Sequence, residues 1–294
     1  MKVETRPAEA AAASDNVLRV PLTLEGASVL HQMFRVRWPA WKALSETRRQ
    51  EIVDQAVPAL LAMETPAEGQ SALFSLLGHK GDLMLVHFRP TFDELNAAEL
   101  SLAHLDLADY LEPTTSYLSV VELGLYESTV RLHASLTEKG VQPGSPEWEQ
   151  ETEAALAQQR KAMKPRLWPE IPARRYLCFY PMDKKRGEAK NWYEVPIRER
   201  QRLMHEHGMI GRKYAGQVKQ IISGSIGFDD WEWGVDLFAD DPLVYKRLIY
   251  EMRFDEASAV YALFGTFYIG LRFRAEDLGT LLAGKTPAFS PRVE

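Results

Sequence analysis

The pattern of apolar and polar positions divides the chain into strand-like and helix-like segments. Runs such as "HQMFRVRW", in which apolar side chains occupy every second position, predict strands. Apolar residues that recur three and four positions apart, preceded by N-capping residues such as Ser45, predict helices. The first series is predicted to contain a strand at 31–38, a helix at 45–63 with a kink at Pro58, strands at 71–79 and 82–90 joined by a tight turn at Lys80 and Gly81, a helix at 91–111 and a strand at 116–126.

The same order of elements is repeated in the second part of the chain. There the pattern predicts a strand at 174–182, a helix at 196–208, strands at 218–228 and 231–239, a helix at 241–262 and a strand at 265–273. Pro196 near the start of the first of these helices and Gly208 just past its end agree with the usual helix boundaries. Two β-α-β-β-α-β units indicate an α+β protein with two ferredoxin-like halves, whose antiparallel sheets pack together with helices outside.

These elements divide the chain into four parts. Residues 1–16 are rich in Ala, Glu and Ser and are predicted to form a disordered leader. Residues 17–126 form the N-terminal half and residues 174–275 the C-terminal half. The connecting segment, 127–173, is polar, partly helical around "PEWEQETEAALAQQRKAM", and ends in the proline-rich "KPRLWPEIPAR". Segments of this length are often functional or form interfaces.

Composition narrows the class of protein. The 294 residues are 46% hydrophobic and 26% charged, as expected for a globular protein with a substantial core. A net charge of −6 argues against nucleic-acid binding, because phosphate neutralisation requires a basic surface. Cys178 is the only cysteine, so no intrachain disulfide forms and a reducing compartment is expected. The first sixteen residues lack the apolar core of a signal peptide and no run reaches about 18 apolar residues, so we expect a cytoplasmic protein without a membrane span.

Two histidines, His205 and His207, lie in the predicted helix at 196–208. His207 shares a helix face with Leu203 and Met204, whereas His205 lies toward the charged side. The pattern alone favours a partly buried His207 at the carboxyl end of the helix, where the helix dipole stabilises a cationic imidazole. The alternative is iron ligation, since haem needs only one or two protein ligands. Zinc is disfavoured, because no second His, Cys or carboxylate stands at chelate spacing.

The stretch from Tyr176 to Gly270, with "CFYPMDKKRG", "MHEHG" and "FDEASAVY", closely resembles the bacterial coproheme decarboxylases, also called hydrogen-peroxide-dependent haem synthases. They belong to the chlorite dismutase superfamily, and the resemblance extends over residues 17–273. It implies a dimeric α/β-barrel protomer whose C-terminal half binds iron coproporphyrin III, assembled as a homopentamer. Hydrogen peroxide would drive oxidation of two propionates to vinyl groups, giving haem b in the last step of coproporphyrin-dependent haem biosynthesis. A transient contact with the coproporphyrin ferrochelatase is also expected.

The resemblance also assigns roles to single residues. His207 matches the proximal haem iron ligand, which reverses the preference from the pattern alone. Tyr180 in "FYPM" matches the radical tyrosine, and Lys184 in "DKKRG" matches a lysine near the second reactive propionate. Without the resemblance they would be a strand tyrosine and a turn lysine. Four further matches are two propionate contacts, a pocket residue beside the tyrosine and a nearby aromatic residue: Arg166, Ser258, Met182 and Trp192.

One position separates activities within the superfamily, and another departs from the family pattern. Gln220 in "QVKQII" stands where true chlorite dismutases carry an arginine, and its neutral amide favours the decarboxylase. A haem-dependent chlorite dismutase or peroxidase is the alternative enzyme, and a haem-binding or structural member of the superfamily is the non-enzymatic one. Leu125 occupies the position of a propionate-binding asparagine, so one anchoring contact of the family is missing or supplied elsewhere.

Overall fold

The computed structural model describes residues 19–290, and the predicted leader therefore lies outside the described residues. The strands are β1 (Thr23–Val36), β2 (Gln70–Leu77), β3 (Leu83–Arg89), β4 (Leu111–Gly124), β5 (Tyr176–Lys184), β6 (Lys219–Gly224), β7 (Trp233–Ala239), β8 (Ala262–Phe264) and β9 (Tyr268–Phe273). The helices are α1 (Trp38–Ala43), α2 (Glu46–Glu64), α3 (Phe92–Ala103), α4 (Tyr126–Glu138), α5 (Pro146–Leu167), α6 (Ile197–Lys213), α7 (Leu243–Met252), α8 (Glu256–Ala259) and α9 (Leu278–Leu282). Short 3₁₀ turns lie at Asp106–Tyr110, Trp192–Glu194 and Ala275–Asp277.

The strands form two antiparallel sheets of the same internal order. In the N-terminal half the order is β4-β1-β3-β2, and in the C-terminal half it is β9-β5-β7-β6. Each sheet places its first strand beside its fourth and third strands, which is the ferredoxin-like arrangement. The predicted α+β class with two ferredoxin-like halves is confirmed.

The two sheets come together in one barrel, as expected for the dimeric α/β-barrel protomer that the resemblance implies. They join edge to edge through β4 with β6 and β2 with β9, so that eight strands close into one antiparallel barrel. The short β8 pairs with the end of β5 outside this ring. Each half leaves two strand edges with free N–H and C=O groups, and closure pairs them. Inside the barrel a buried hydrogen bond joins the halves, with His31 Nε2 2.9 Å from Asp236 Oδ1.

Alternation along the strands separates an inner from an outer side-chain layer. Val29, Met33 and Phe179 belong to the buried cluster inside the barrel. On the outside, α2 and α9 cover the N-terminal half, and α6 and α7 cover the C-terminal half. The outward side chains of β5, such as Tyr180, are therefore enclosed between the sheet and two helices.

The helix that carries His207 is longer than predicted. It runs from Ile197 to Lys213 and passes straight through Gly208. The buried face of the helix, formed by Ile197, Arg200 and Leu203, continues through the half-buried Ile210, and this packing extends the helix beyond the glycine. His207 therefore lies within the helix and not at its carboxyl end, so the helix-dipole explanation for this residue is wrong.

Other boundaries also differ from the sequence prediction. The helix predicted at 241–262 is two helices, α7 and α8, because Asp255 adopts an extended backbone and caps α8. The tight turn at Lys80 and Gly81 is a five-residue loop, in which Gly78 and His79 have positive φ angles of 90° and 61°. No helix in the described range 19–290 is long and apolar enough to cross a membrane.

Candidate functional site

His207 is held by a carboxylate and a hydroxyl from the segment after α7. Its Nδ1 lies 3.0 Å from Asp255 Oδ2 and 3.4 Å from Ser258 Oγ. The His207 side chain is 27% exposed, whereas the Asp255 side chain is only 4% exposed. With Nδ1 donating its hydrogen to the carboxylate, the other ring nitrogen, Nε2, carries the lone pair that can bind a metal.

Asp255 is held in place because its side chain also caps the N-terminus of α8. Its Oδ1 accepts the backbone N–H of Ser258 at 2.9 Å, and its Oδ2 accepts the Ser258 hydroxyl at 3.1 Å. Burial would raise the pKa of Asp255, but the hydrogen bonds from His207 and Ser258 outweigh it and lower the pKa. The carboxylate is therefore charged at neutral pH and orients the imidazole of His207.

Lys184, at the end of β5, is a buried cation in contact with this segment. Its Nζ donates to the backbone carbonyl of Ala257 at 3.2 Å and lies 4.5 Å from the centre of the Trp192 ring. The side chain is 8% exposed, and burial lowers its pKa to about 8, although Asp255 and Glu232 oppose that shift. Near neutral pH the amine remains largely protonated, and its positive charge suits a carboxylate ligand.

Tyr180 lies in the middle of β5, on the outer face of the barrel. It is 4% exposed and packs in the cluster that α6 and α7 cover. The Phe267 ring stacks on it at 4.5 Å, and the Phe264 ring lies at 5.7 Å. Burial raises the pKa of Tyr180 well above its usual value. The phenol thus retains its O–H hydrogen at every physiological pH.

Met182 and Gln220 share the outer layer with Tyr180. Met182 follows Tyr180 on the same face of β5 and is partly buried in the same cluster. Gln220 is exposed on β6, between Val218 and Ile222 on the outer face. Its Oε1 would lie 3.8 Å from a Cβ atom added to Gly211, one turn after His207 in α6. The amide of Gln220 is therefore close to α6.

Trp192 contacts another candidate site residue, Lys184, whereas Arg166 lies apart from the candidates. Trp192 is fully buried with its ring against Lys184, Tyr126 and Tyr261. Arg166 is exposed at the end of α5, next to the buried Leu167, and has no described contact with the other candidates. Leu125 immediately precedes α4 and accepts the backbone N–H of Thr129 at 2.8 Å.

Two acidic residues of the site were not singled out from the sequence. Asp255 carries the local signal of an N-cap three residues before Ser258, but its contact with His207 spans 48 positions. Glu232 gave no signal, since it lies in a strand-like "WEW" whose glutamate normally points to solvent. No group of three or more His, Cys, Asp or Glu side chains suited to a metal ion occurs in residues 19–290.

A separate cavity of about 460 Å³ lies between the two halves, lined by residues that include Tyr117, Phe179, Asp229, Trp231 and Tyr268. Phe179 belongs to the inner layer of the barrel, whereas Tyr180 lies in the outer layer. None of the candidate site residues lines this cavity. The geometry around His207 thus points to the outer face of the C-terminal half as the functional site.

Comparison with known proteins identifies the family. The model of the chlorite dismutase family matches residues 41–273. The chain belongs to this family. It is 42% identical over 268 residues to a protein of Staphylococcus saprophyticus named coproheme decarboxylase, covering 90% of this chain and 99% of that one. It is 46% identical over 269 residues to a Haloquadratum walsbyi protein named as heme-binding.

The relatives differ in length from this chain, and solved structures share its fold. The chain spans 48% of the length of the Haloquadratum walsbyi relative and 42% of a similarly named relative from Natronomonas pharaonis. A heme-binding protein from Thermus thermophilus superposes with a TM-score of 0.75 at 39% identity, over 90% of this chain and 98% of that one. A variant chlorite dismutase from Candidatus Nitrospira defluvii superposes with a TM-score of 0.67 at 17% identity, over 88% of this chain and 96% of that one. This similarity supports the fold.

Proposed function

We propose that the protein is a coproheme decarboxylase, which converts iron coproporphyrin III into haem b with hydrogen peroxide. The observation that carries the proposal is the cluster of His207, Asp255 and Ser258, joined through Ala257 to the buried Lys184. It combines one oriented imidazole with one buried cation, which suits an iron porphyrin that bears carboxylates. The relative from Staphylococcus saprophyticus, similar over 99% of its length, supports the same activity.

His207 is the proposed protein ligand of the substrate iron. The hydrogen bond from Nδ1 to Asp255 fixes the tautomer and the ring orientation, and it increases the basicity of Nε2. A histidine that belongs to no larger group of metal-ligating side chains in residues 19–290 fits an iron porphyrin, because the macrocycle supplies the equatorial donors. His205 is assigned no role in the site.

Tyr180 is the proposed hydrogen-abstracting residue. Each reacted propionate loses carbon dioxide, a proton and two electrons. One peroxide takes up these two electrons, that proton and one proton from solvent to form two waters. Peroxide and the substrate iron supply the oxidising equivalents. The Tyr180 phenol gives up its hydrogen atom to the peroxide-derived oxidant, and the resulting tyrosyl radical takes a hydrogen atom from the propionate carbon. The carbon radical left behind then gives up a second electron to the same oxidant and releases carbon dioxide, which leaves the vinyl group. Burial between the sheet and the aromatic rings of Phe264 and Phe267 keeps water and other reductants away from this radical.

Charged and polar residues are proposed to hold the propionates. Lys184 would bind the carboxylate of the second reacting propionate as a point charge. Arg166 would bind a propionate by charge-assisted hydrogen bonds. Ser258 would bind a propionate by turning its hydroxyl away from Asp255, to which it otherwise donates a hydrogen bond. Met182 and Trp192 would line the pocket. Gln220 would face bound peroxide with a neutral amide, which argues against chlorite dismutase activity.

The wider setting follows from the same family. We propose a homopentamer that acts in the cytoplasm at the last step of coproporphyrin-dependent haem biosynthesis. Iron coproporphyrin would arrive from the coproporphyrin ferrochelatase through a transient contact. Haem b is the product that leaves the site.

The function is tested by mixing the purified protein with iron coproporphyrin III and titrating hydrogen peroxide. We expect the porphyrin mass to fall in two steps, each by one carbon dioxide and two hydrogens, ending at haem b. A parallel incubation with chlorite, followed with an oxygen electrode, tests the alternative activity. Unchanged coproheme together with oxygen release from chlorite would reject the decarboxylase and favour the dismutase.

A further inference from the structure

Glu232, the first residue before β7, is a buried carboxylate at the back of the candidate site. It is 6% exposed, and its Oε2 accepts the backbone N–H of Lys184 at 2.9 Å. Its own backbone N–H donates to Asp183 Oδ1 at 2.8 Å. Two hydrogen bonds in opposite directions thus join Glu232 to two consecutive residues at the end of β5.

The same carboxylate reaches the hairpin that follows β5. Residues 185–192 form this hairpin, in which Trp192 N–H donates to the Lys185 carbonyl at 2.9 Å and Arg186 bridges to Asn191. Arg186 Nε lies 3.7 Å from Glu232 Oε1. Burial and the nearby Glu232 carboxylate raise the pKa of the Tyr193 phenol. One buried carboxylate therefore connects the strand end with the hairpin and lies close to the 3₁₀ turn that begins at Trp192.

The contacts of Glu232 with the strand end and the hairpin help to fix the position of the Lys184 amine. The Trp192 ring lies 4.5 Å from Nζ, so a displaced hairpin would remove one wall of the lysine pocket. Two carboxylates, Asp255 and Glu232, supply negative charge toward the buried ammonium. Asp255 is committed to His207 and Ser258, which leaves Glu232 as the carboxylate that also binds the Lys184 backbone.

We propose that Glu232 is a positioning residue for Lys184: it locks the 185–192 hairpin against the strand end and keeps the ammonium charged for a carboxylate ligand. The inference rests on the proposed function only for the identity of that ligand. The hydrogen bonds and the buried charge are independent of it. Since burial alone lowers the pKa of Lys184, loss of the Glu232 charge should lower it further.

The test uses the full chain with Glu232→Gln, which keeps an acceptor for the Lys184 N–H but removes the charge. The control is Glu188→Gln, an exposed glutamate at the tip of the same hairpin. Competitive acetylation with trace acetic anhydride over a pH series, read by mass spectrometry, gives the pKa of the Lys184 amine against the neighbouring Lys185. We expect Glu232→Gln to lower the pKa of Lys184 by about one unit and to leave Lys185 unchanged.

Coproheme titration of the same variants, followed at the Soret band, supplies the second measurement. The affinity of Glu232→Gln should fall about fivefold at pH 8 and about ninefold at pH 9, because the charged fraction of the amine falls by those factors, and at pH 6 the loss should nearly vanish. An unshifted Lys184 in a folded Glu232→Gln protein, or an equal shift in Glu188→Gln, would overturn the inference. If wild type fails to bind coproheme while the acetylation shift appears, the proposed substrate is wrong and the positioning role stands.

Discussion

Replacing Asp255 isolates the contribution of the carboxylate that orients His207. Asp255→Asn keeps an oxygen acceptor 3.0 Å from Nδ1 but exchanges a charged hydrogen bond for a neutral one. That difference is about 1 kcal/mol, or about fivefold in an equilibrium constant. Asp255→Ala removes the acceptor entirely, and loss of such a partner typically costs 10- to 100-fold in metal affinity. The alanine variant also loses the cap of α8, worth about 1 kcal/mol of folding free energy.

The assay is a coproheme titration at pH 7 with a thermal melt of the substrate-free protein. Affinity should decrease in the order Asp, Asn, Ala, and the melting temperature should fall clearly only for alanine. Asp241→Ala is the matched control: Asp241 caps the start of α7 and pairs with Arg247 but does not contact His207. Equal affinities of wild type and Asp255→Ala, or an equal loss in Asp241→Ala, would refute the role of Asp255 in orienting the ligand.

Three further predictions address the rest of the site. Because the amine of Lys184 has a pKa of about 8, coproheme affinity should decrease as the pH rises through that value. Lys184→Ala should abolish this pH dependence, whereas Lys185→Ala should keep it. Coproheme titrations at pH 6 and pH 9 measure the difference. Arg166→Ala should weaken coproheme more than haem b, which has two carboxylates fewer, and identical losses for both porphyrins, or the same effect from the exposed Arg131→Ala, would exclude a propionate role. Gly208→Ala should raise the melting temperature by about 2 °C, because alanine gains about 1 kcal/mol inside a helix and the new Cβ meets no atom within 4 Å beyond its chain neighbours and the local helix backbone. Gly227→Ala, at a positive φ of 88°, should lower the melting temperature, and a destabilised Gly208→Ala would mean that the helix ends there.

The order of strands and helices was predictable because most elements follow a simple alternation or helical period. The length of β1 was not: it begins at Thr23, although alternation is evident only from His31. Ser28, His31 and Gln32 are buried polar residues in this strand, and they disrupt the apolar pattern. His31 is tolerated inside the barrel because Asp236 pairs with it from the other half, 205 positions away. Closure of the two sheets into one barrel depends on such long-range pairings, which a local pattern does not contain.

The candidate site was predictable to a similar extent. The position of His207 beside the apolar stripe followed from helix periodicity, and the helix places Leu203 in the core as expected. The predicted end of the helix at Gly208 was wrong, because glycine is a common helix stop signal. Here the packing of Ile210 against the sheet continues the helix beyond the glycine. Asp255 and Glu232 reach His207 and Lys184 from 48 positions away, so only the tertiary structure brings these acids to the site. The roles of Tyr180 and Arg166 stay predictions.

We propose that Tyr180 loses a hydrogen atom during the reaction, and its phenylalanine variant tests this role directly. Tyr180→Phe keeps the ring that stacks on Phe267 and removes only the hydroxyl, so folding and coproheme binding should survive. The decisive measurement is the porphyrin mass spectrum of this variant after excess peroxide. We expect neither haem b nor the mono-decarboxylated intermediate, since a benzene ring has no O–H hydrogen to lose. Haem b at near wild-type yield would contradict the proposed role of Tyr180.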